Sequence, residues 1–374
     1  MKIRISSDAF TEELFKLQGV VNQRSTLAIL SNALLEAEGD TLTMHATDLD
    51  ISVSTSCPCE VLEEGKVTLQ AKSLFDIVKN LEGESLELET EENYWANLNA
   101  GSVSCRIVGT HADEFPNILD TSSVELFPID TERLLDMIDK TIFSISTDDS
   151  RANLTGAFFK VTDEENLLMV STDGHRLSKI ETPPEEFDTQ ADIPALLTEG
   201  IIIPRKGLAE VRRIIDPGGS ELSFGIIDNN IVFKSGPMSL SVRLIDGTFP
   251  DFTQVLPKES DHRATVEKSL LEQSLKFVSL FASSKTNNIR LTLSEDGLEL
   301  YASDPDRGEA KKSVPADYEG QPVKAGFNFR YLKDVLGAVN GDAVSIEIID
   351  TLSPTLVRDP DRDEMLFVVM PMRL

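Results

Sequence analysis

The sequence predicts an α+β protein of three similar domains, each with two helices packed on antiparallel sheets. Three observations carry this reading. Thr47-Asp48-Leu49-Asp50, Thr172-Asp173-Gly174-His175 and Ser303-Asp304-Pro305-Asp306 recur 125 and 131 residues apart, each after two short apolar runs joined by an acidic turn. Leu74-Phe75-Asp76-Ile77, Leu208-Ala209-Glu210-Val211 and Leu332-Lys333-Asp334-Val335 repeat the order leucine, any residue, acid, branched residue, at spacings of 134 and 124. Phe115-Pro116-Asn117 and Phe249-Pro250-Asp251 echo one another, with Met370-Pro371-Met372 in the corresponding place near the C-terminus. A period of roughly 125 residues in a 374-residue chain fits three domains of ordinary size.

The elements follow in order. Phe10, Leu14, Leu17 and Val21 recur at helical spacing, with Asp8 placed to cap that helix. Alternation predicts strands at 41–45 and 51–54. After the apolar run 67–69, a second helix is expected over 73–81, ended by Gly83, and strands return at 85–89 and 103–108. Helices are then expected at 131–143, 206–215, 268–281 and 328–339, with Pro128, Pro194, Pro217, Pro257 and Pro322 punctuating the connections. The expected domains are 1–125, 126–253 and 254–374.

Composition narrows the class. A 40% hydrophobic fraction without low-complexity tracts is that of a globular protein. The N-terminal run carries no apolar signal region and no 18-residue apolar stretch occurs, which predicts a cytoplasmic protein with no membrane partner. Cys57, Cys59 and Cys105 are odd in number and lack CxxC spacing, so neither a disulfide framework nor a zinc site is expected. A net charge of −29 argues by itself against nucleic acid, because phosphate binding needs Lys and Arg to displace counterions. Where the basic minority lies therefore matters.

In the second helix of the first repeat, Leu74, Ile77, Val78 and Leu81 cover one face while Lys72 and Lys79 project from the other. Lys206 and Arg213 take those two positions in the second repeat, and Arg330 takes the first in the third, where Gly337 replaces the second. A basic residue thus stands two positions before the aligned leucine three times over. Solvated helix faces are normally mixed in sign, so one such helix would mean little; three in register in an acidic chain point to a basic inner surface. With no aromatic stacking platform or base-reading motif, the contact would be with duplex backbone, indifferent to sequence. Two chains would supply twelve helices, and at roughly 10 Å each these close a circle about 120 Å around, wide enough for a duplex.

At this point the residues resemble a family. Arg24-Ser25-Thr26-Leu27-Ala28-Ile29-Leu30, the Thr-Asp-Gly-His-Arg-Leu run at 172–177, Ile203-Pro204-Arg205-Lys206-Gly207, Asp246-Gly247-Thr248-Phe249-Pro250-Asp251, Gly326-Phe327-Asn328 and the terminal Val368-Val369-Met370-Pro371-Met372-Arg373-Leu374 are similar to the bacterial DNA polymerase III beta subunits, the β sliding clamps, over the full length. The resemblance implies a DNA-clamp fold, each chain forming half of a ring. It implies a non-catalytic processivity factor that encircles double-stranded DNA and tethers the replicative polymerase, with no cofactor and no metal. It also implies a head-to-tail homodimer and, as partners, the polymerase III alpha subunit, the clamp loader through its delta subunit, and other polymerases, repair and ligation proteins docking short peptides.

The family's DNA-facing positions correspond here to Arg24, Lys72, Lys79, Arg205 and Lys206; the basic helix positions add Arg213 and Arg330 as candidate DNA contacts, and Arg151 is a further one. Its peptide pocket corresponds to Leu154, Thr172, Gly174, His175, Arg176, Leu177, Pro250, Val255, Val368, Val369, Met370, Pro371 and Met372. Apolar Leu, Val and Pro with flexible Met suit a groove that accepts many related peptides. For the dimer interface, the expected edge strands are 103–108, with Val103, Cys105 and Ile107, and 298–302, with Leu298 and Leu300, Leu280 and Phe281 packing beside the second. The chain departs from the family at Thr253 and Gln254, where the best-known clamps are basic, and at Ala152 and Asn153, where relatives carry aromatics.

Other readings have less behind them. Asp173 and His175 are close in sequence, but no Gly-x-Ser-x-Gly elbow exists and Asp48 and Asp304 take the same place without a following His, which suits a structural Asx-turn. The acidic stretches at 304–306 and 359–363 lack the Gly and terminal Glu of an EF-hand loop. A repeat scaffold that binds proteins but not DNA is the serious alternative; association with DNA that depends on salt and on free ends separates the two. No Gly-x4-Gly-Lys-Ser/Thr loop is present, so loading would need a separate ATP-driven loader.

Overall fold

The computed structural model describes residues 1–21, 26–81, 83–182, 195–256 and 263–373. Arg24, Pro194, Pro257 and Leu374 lie outside the described residues. The chain divides into two compact units, Met1–Leu134 with Lys206–Leu244, and Leu135–Arg205 with Ile245–Leu374. Among the described residues are seven α-helices: α1 (Ser7–Leu17), α2 (Ala71–Lys79), α3 (Thr131–Thr141), α4 (Ala195–Glu199), α5 (Arg205–Ile214), α6 (Lys268–Val278) and α7 (Phe329–Ala338). Every sheet pairing among them is antiparallel, in line with the α+β class.

The helices obey their sequence signals with two adjustments. Ser6, not Asp8, caps α1: its hydroxyl accepts from Ala9 N, and Asp8 sits in the first turn, where a carboxylate favours the helix dipole. Helix α2 begins at Ala71, two residues early, because the Gln70 side chain accepts from Ser73 N at 2.6 Å. Its buried stripe is Leu74 and Val78, with Ile77 half-buried and Lys72 and Lys79 exposed. In α7 the expected stripe is intact, with Leu332, Val335, Leu336 and Val339 all buried. Each such side chain contributes about 1.5–3 kcal/mol by leaving water. The five-residue α4, which follows 183–194, has no counterpart in the sequence periodicity.

In the first unit, one nine-stranded sheet runs in the order Gly109–Thr110, Gly65–Gln70, Asn32–Glu38, Thr41–Thr47, Ile51–Pro58, Met238–Arg243, Asn230–Ser235, Leu222–Ile227, Phe127–Ile129. Strands from two sequence repeats meet in its middle, where Ser52 faces Ser241 and Ile51 faces Val242. A second, five-stranded sheet runs Glu60–Glu63, Lys2–Ser6, Ser85–Thr90, Ala96–Ala100, Val103–Ile107.

The second unit repeats the arrangement. Its nine-stranded sheet runs Ile201–Pro204, Gly156–Val161, Leu167–Thr172, Arg176–Thr182, Met365–Val369, Thr355–Arg358, Ala343–Glu347, Arg263–Glu267, Ala316–Asp317. Leu177 faces Val368 where the two repeats meet. A four-stranded sheet runs Gly308–Val314, Gly297–Asp304, Asn288–Ser294, Val323–Asn328. Here α6 and α7 place Leu271, Leu275, Leu332 and Leu336 against Leu291, Leu298 and Leu300 in one core.

Within the first unit α5 is held by two contacts. Gly207 lies so close to Val242 that a Cβ would fall 2.4 Å from a valine methyl, so only glycine lets the helix reach the sheet. Arg213 donates to buried Glu210 at 2.8 Å and to the carbonyls of Phe15 and Lys16 at the end of α1 at 3.0 and 2.6 Å, the Phe15 carbonyl also accepting from Gln18 N. Its guanidinium also lies over the Phe15 ring. Arg213→Ala therefore strands the Glu210 carboxylate and is expected to cost about 2–4 kcal/mol, read as a lower urea midpoint; a loss under about 0.5 kcal/mol would show the clamp to be incidental.

Candidate nucleic-acid and partner interfaces

The first two Thr-Asp runs fold into the same turn, Thr47 facing Ser52 and Thr172 facing Leu177, whereas the third closes one residue tighter, with Asp304 facing Gly308. Asp48 Oδ1 accepts from Asp50 N and Ile51 N at 3.1 and 2.7 Å, Asp173 Oδ1 from His175 N and Arg176 N at 2.8 and 3.0 Å, and Asp304 Oδ1 from Asp306 N at 2.9 Å. Thr47 and Thr172 each accept, through Oγ1, from the amide two residues on at 3.0 Å. That residue takes a positive φ, 83° at Leu49 and 88° at Gly174. These aspartates are spent on backbone amides. His175 lies parallel to the Tyr331 ring, 6.3 Å between centres, rather than beside a nucleophile. Among the described residues no group of three His, Cys, Asp or Glu side chains is placed to hold a metal.

The first two turns also reach a helix of the following repeat. In the first unit, Asp48 Oδ2 pairs with Lys206 at the start of α5. In the second, Arg176 Nε meets Asp173 Oδ2 at 3.0 Å and Arg176 Nη1 meets Asp334 of α7 at 2.6 Å. The Arg176 guanidinium lies between the faces of Tyr331 and Phe143, 4.6 and 5.5 Å from their centres. Burial, with the Asp173 carboxylate next in weight, pushes the Tyr331 phenol above its ordinary value.

The candidate DNA contacts fare unequally. Lys72, Lys79 and Arg330 are exposed on α2 and α7, with no carboxylate partner among the described residues. The Lys79 ammonium sits 5.6 Å from the Phe75 ring. Arg205 lines an open cleft of about 600 Å³ with Arg151 and His175. Arg151 donates to Asp173 O at 2.8 Å and stays exposed. Lys206 is half-exposed but paired with Asp48. Arg213 is a correction: its role is the α1–α5 clamp, and its fork points inward, because the residue seven after Lys206 faces the end of α1.

The candidate peptide pocket lies wholly in the second unit. Leu154, Leu177 and Val368 belong to a compact apolar cluster with Phe249, Ile202, Val170 and Leu356, rimmed by half-buried Phe158, Phe252 and Leu256. The Phe158 and Phe249 rings stack at 5.2 Å. Pro250 and Val255 are exposed beside this cluster, and Met370, Pro371 and Met372 are half-buried. Met370 N donates to His175 O at 2.8 Å and Met372 N to Gly326 O at 2.7 Å, which fixes the terminal run. Gly174 and His175 are exposed, while Thr172 Oγ1 is spent on Arg176 O.

One pocket assignment needs correction. Val369 points to the opposite face and into the other core, since strand side chains alternate and Val368 faces the cluster. Arg176, its side chain 11% exposed, is held by the bridge just described where it lines the cleft beside His175. Phe249, Phe158 and Tyr331 were not singled out as site residues; the Phe-Pro echo marks the first, and nothing in the sequence pattern marks the other two. The serine pair Ser52 and Ser241 holds, in the first unit, the cross-strand positions of Leu177 and Val368. The apolar patch therefore occurs at one of these two joints.

Of the expected dimer strands, Val103–Ile107 is an edge, with Val103 and Val108 exposed. The other expectation is corrected. Gly297–Asp304 lies inside its sheet, and Leu298 and Leu300 are 1% and 0% exposed because their face packs on α6 and α7. The edge on that side of the sheet is the neighbouring strand, Gly308–Val314. Leu280 is 62% exposed, and Phe281 is half-buried against the core.

Comparison with known proteins accords with these features. Residues 1–119, 128–251 and 253–373 match family profiles described as the N-terminal, central and C-terminal domains of the DNA polymerase III beta subunit. The "Beta sliding clamp" of Caulobacter vibrioides (strain NA1000 / CB15N) is 32% identical over 379 residues, covering 100% of both chains. The crystal structure of a DNA polymerase sliding clamp from Pseudomonas aeruginosa with ligand aligns with a TM-score of 0.92 at 31% identity, covering 100% of both chains. That from Bacillus subtilis aligns at 0.93 and 26%, covering 100% of this chain and 99% of that one. Repeats, turns, sheets and full-length similarity agree, and the chain belongs to the bacterial DNA polymerase III beta subunit family, the β sliding clamps.

Proposed function

We propose that this protein is a cytoplasmic, non-catalytic sliding clamp: two copies close head to tail around duplex DNA and tether the replicative polymerase. One observation carries the closure. Within the chain, repeat meets repeat twice, each time inside a nine-stranded sheet. The remaining sheets have five strands and four, each ending at a free edge, Val103–Ile107 and Gly308–Val314. Joining those edges between two copies would make a third and a fourth nine-stranded sheet and hide the unpaired amides and carbonyls. Leu280 and Phe281 would add apolar area beside the junction. The three domains of this reading divide near residues 125 and 253.

Lys72, Lys79, Arg205 and Arg330 supply charge for phosphate backbones, with Lys206 and Arg151 adjoining. Contacts of this type position without reading sequence, as a sliding protein requires. The apolar cluster around Leu154, Leu177, Phe249 and Val368, opened by Pro250, Val255, Met370 and Met372, suits a short peptide carrying Leu and Phe. The polymerase alpha subunit, the loader's delta subunit and other polymerases, repair and ligation proteins would share it. Thr253 and Gln254 leave its rim without added positive charge, so apolar fit rather than ion pairing would set affinity.

Three experiments test this. Protein placed on nicked circular DNA by a clamp loader and ATP should stay bound through gel filtration and be lost once the circle is linearised. Equal loss from both would favour a scaffold that binds only proteins. Lys79→Glu with Arg330→Glu should weaken retention and flatten its salt dependence by roughly two phosphate contacts per chain; unchanged retention would contradict the basic-face assignment. For the pocket, Val255→Ser with Met370→Ala, both at exposed or half-buried positions, should weaken binding of a Gln-Leu-Phe-type peptide about tenfold, near 1.4 kcal/mol. Undiminished affinity in fluorescence anisotropy would place the site elsewhere.

A further inference from the structure

An aromatic patch on the first unit has no counterpart at the matching positions of the other two repeats. Phe15 is the ninth residue of α1 and is 48% exposed, and Phe75 of α2 is half-buried beside it, 6.2 Å between ring centres. Asp139 and Lys276 are the ninth residues of α3 and α6, and Ala209 and Lys333 follow the aligned leucine where Phe75 does. The fold therefore accepts a charged residue at either place, and core packing does not call for the rings. Exposed apolar residues scattered singly are ordinary, but two adjacent rings at positions elsewhere given to charge need a reason.

Cations frame the pair. The Arg213 guanidinium lies 5.2 Å from the centre of the Phe15 ring, and the Lys79 ammonium 5.6 Å from that of Phe75. Arg213 is fixed by Glu210 and by the carbonyls of Phe15 and Lys16. Gln18 Nε2 donates to Leu14 O at 2.9 Å and to Ala71 O at 3.3 Å, which ties the end of α1 to the start of α2. The rings are thus held before any ligand arrives, and little side-chain freedom remains to be lost on binding. The sequence shows no aromatic platform because residues 15 and 75 come together only in the fold.

We infer that Phe15 and Phe75 form a stacking platform for unpaired bases, a contact with single-stranded nucleic acid additional to the duplex contacts proposed above. Within a duplex each base face is covered by its neighbours, so an exposed ring gains by stacking only where the strand is unpaired. Every base offers a π-face, so the contact is indifferent to sequence. Lys79, exposed one turn along α2 from Phe75, is placed to meet a phosphate of the same strand. The carboxylates of Glu12 and Asp76 are exposed on the same two helices, so charge alone favours a strand only weakly there and the rings supply the rest. The choice of nucleic acid as ligand rests on the DNA-facing role proposed for Lys79; the platform itself rests on the geometry and on the repeat comparison.

Fluorescence anisotropy on the full chain tests this, with labelled oligo(dT) and a duplex of equal length at several salt concentrations. Phe15→Ala should weaken oligo(dT) binding about fivefold or more and leave duplex binding unchanged. The salt dependence of oligo(dT) binding should also stay as it is, because a stacking contact releases no counterion. Phe15→Trp should keep the affinity, and its emission should be quenched by oligo(dT) beyond any change in the wild type. Unfolding midpoints check that both variants are folded. Oligo(dT) affinity unmoved by Phe15→Ala, a loss shared equally by the duplex, or Phe15→Trp emission unaffected by oligo(dT) overturns the platform. So does a wild-type chain that fails to bind oligo(dT) at low salt. None of these results bears on retention of the loaded protein on circular DNA, which tests the clamp reading separately.

Discussion

Everything in this structure turns on the treatment of strand ends and edges. A strand that stops at a repeat boundary leaves amides and carbonyls unpaired, and burying them without partners costs more than most side-chain contacts return. The chain meets this twice in the same way, pairing Ile51–Pro58 with Met238–Arg243 and Arg176–Thr182 with Met365–Val369. Each joint is therefore a continuous sheet rather than a docking of finished surfaces. Side-chain detail is then free to vary: serines face one another at the first joint, Leu177 and Val368 at the second. The candidate peptide pocket sits on that second pairing, so the element that joins two repeats also supplies its floor.

Electrostatics follows the same plan. Much of the positive charge is spent internally: Arg213 on Glu210 and the end of α1, Lys206 on Asp48, Arg176 on Asp173 and Asp334. What remains outward on the second helices is small in number and regular in place. A small regular set of exposed cations can hold phosphate weakly at many points, which is what motion along a duplex requires. The acidic remainder keeps the other surfaces from competing for the same ligand.

Much of this was legible in the sequence because the repeats make independent copies of one signal. The two Thr-Asp turns, the apolar stripes of α2 and α7 and the antiparallel α+β class all recur in the structure, while the Ser-Asp run closes a tighter hairpin. The misreadings share a physical cause, which is that spacing fixes which face a residue occupies but not what covers that face. Leu298 and Leu300 alternate as an edge strand might, yet Gly308–Val314 lies outside them. Arg213 repeats the position of Lys79, but the end of α1 lies within its reach and captures it. Val369 follows the motif of its neighbours and faces the opposite way. The Ser6 cap and the stacking of His175 on Tyr331 depend on local rotamers and on contacts between distant segments, which no periodicity encodes.

The central claim is that Val103–Ile107 and Gly308–Val314 are two halves of one more sheet, completed between copies. Backbone amide hydrogen exchange across a dilution series tests it most directly. Exchange in both strands should slow together at high protein concentration and be released together on dilution, while Ile51–Pro58 and Arg176–Thr182 stay protected throughout. Fast exchange in either edge strand at every concentration, or protection of one strand without the other, would contradict the account.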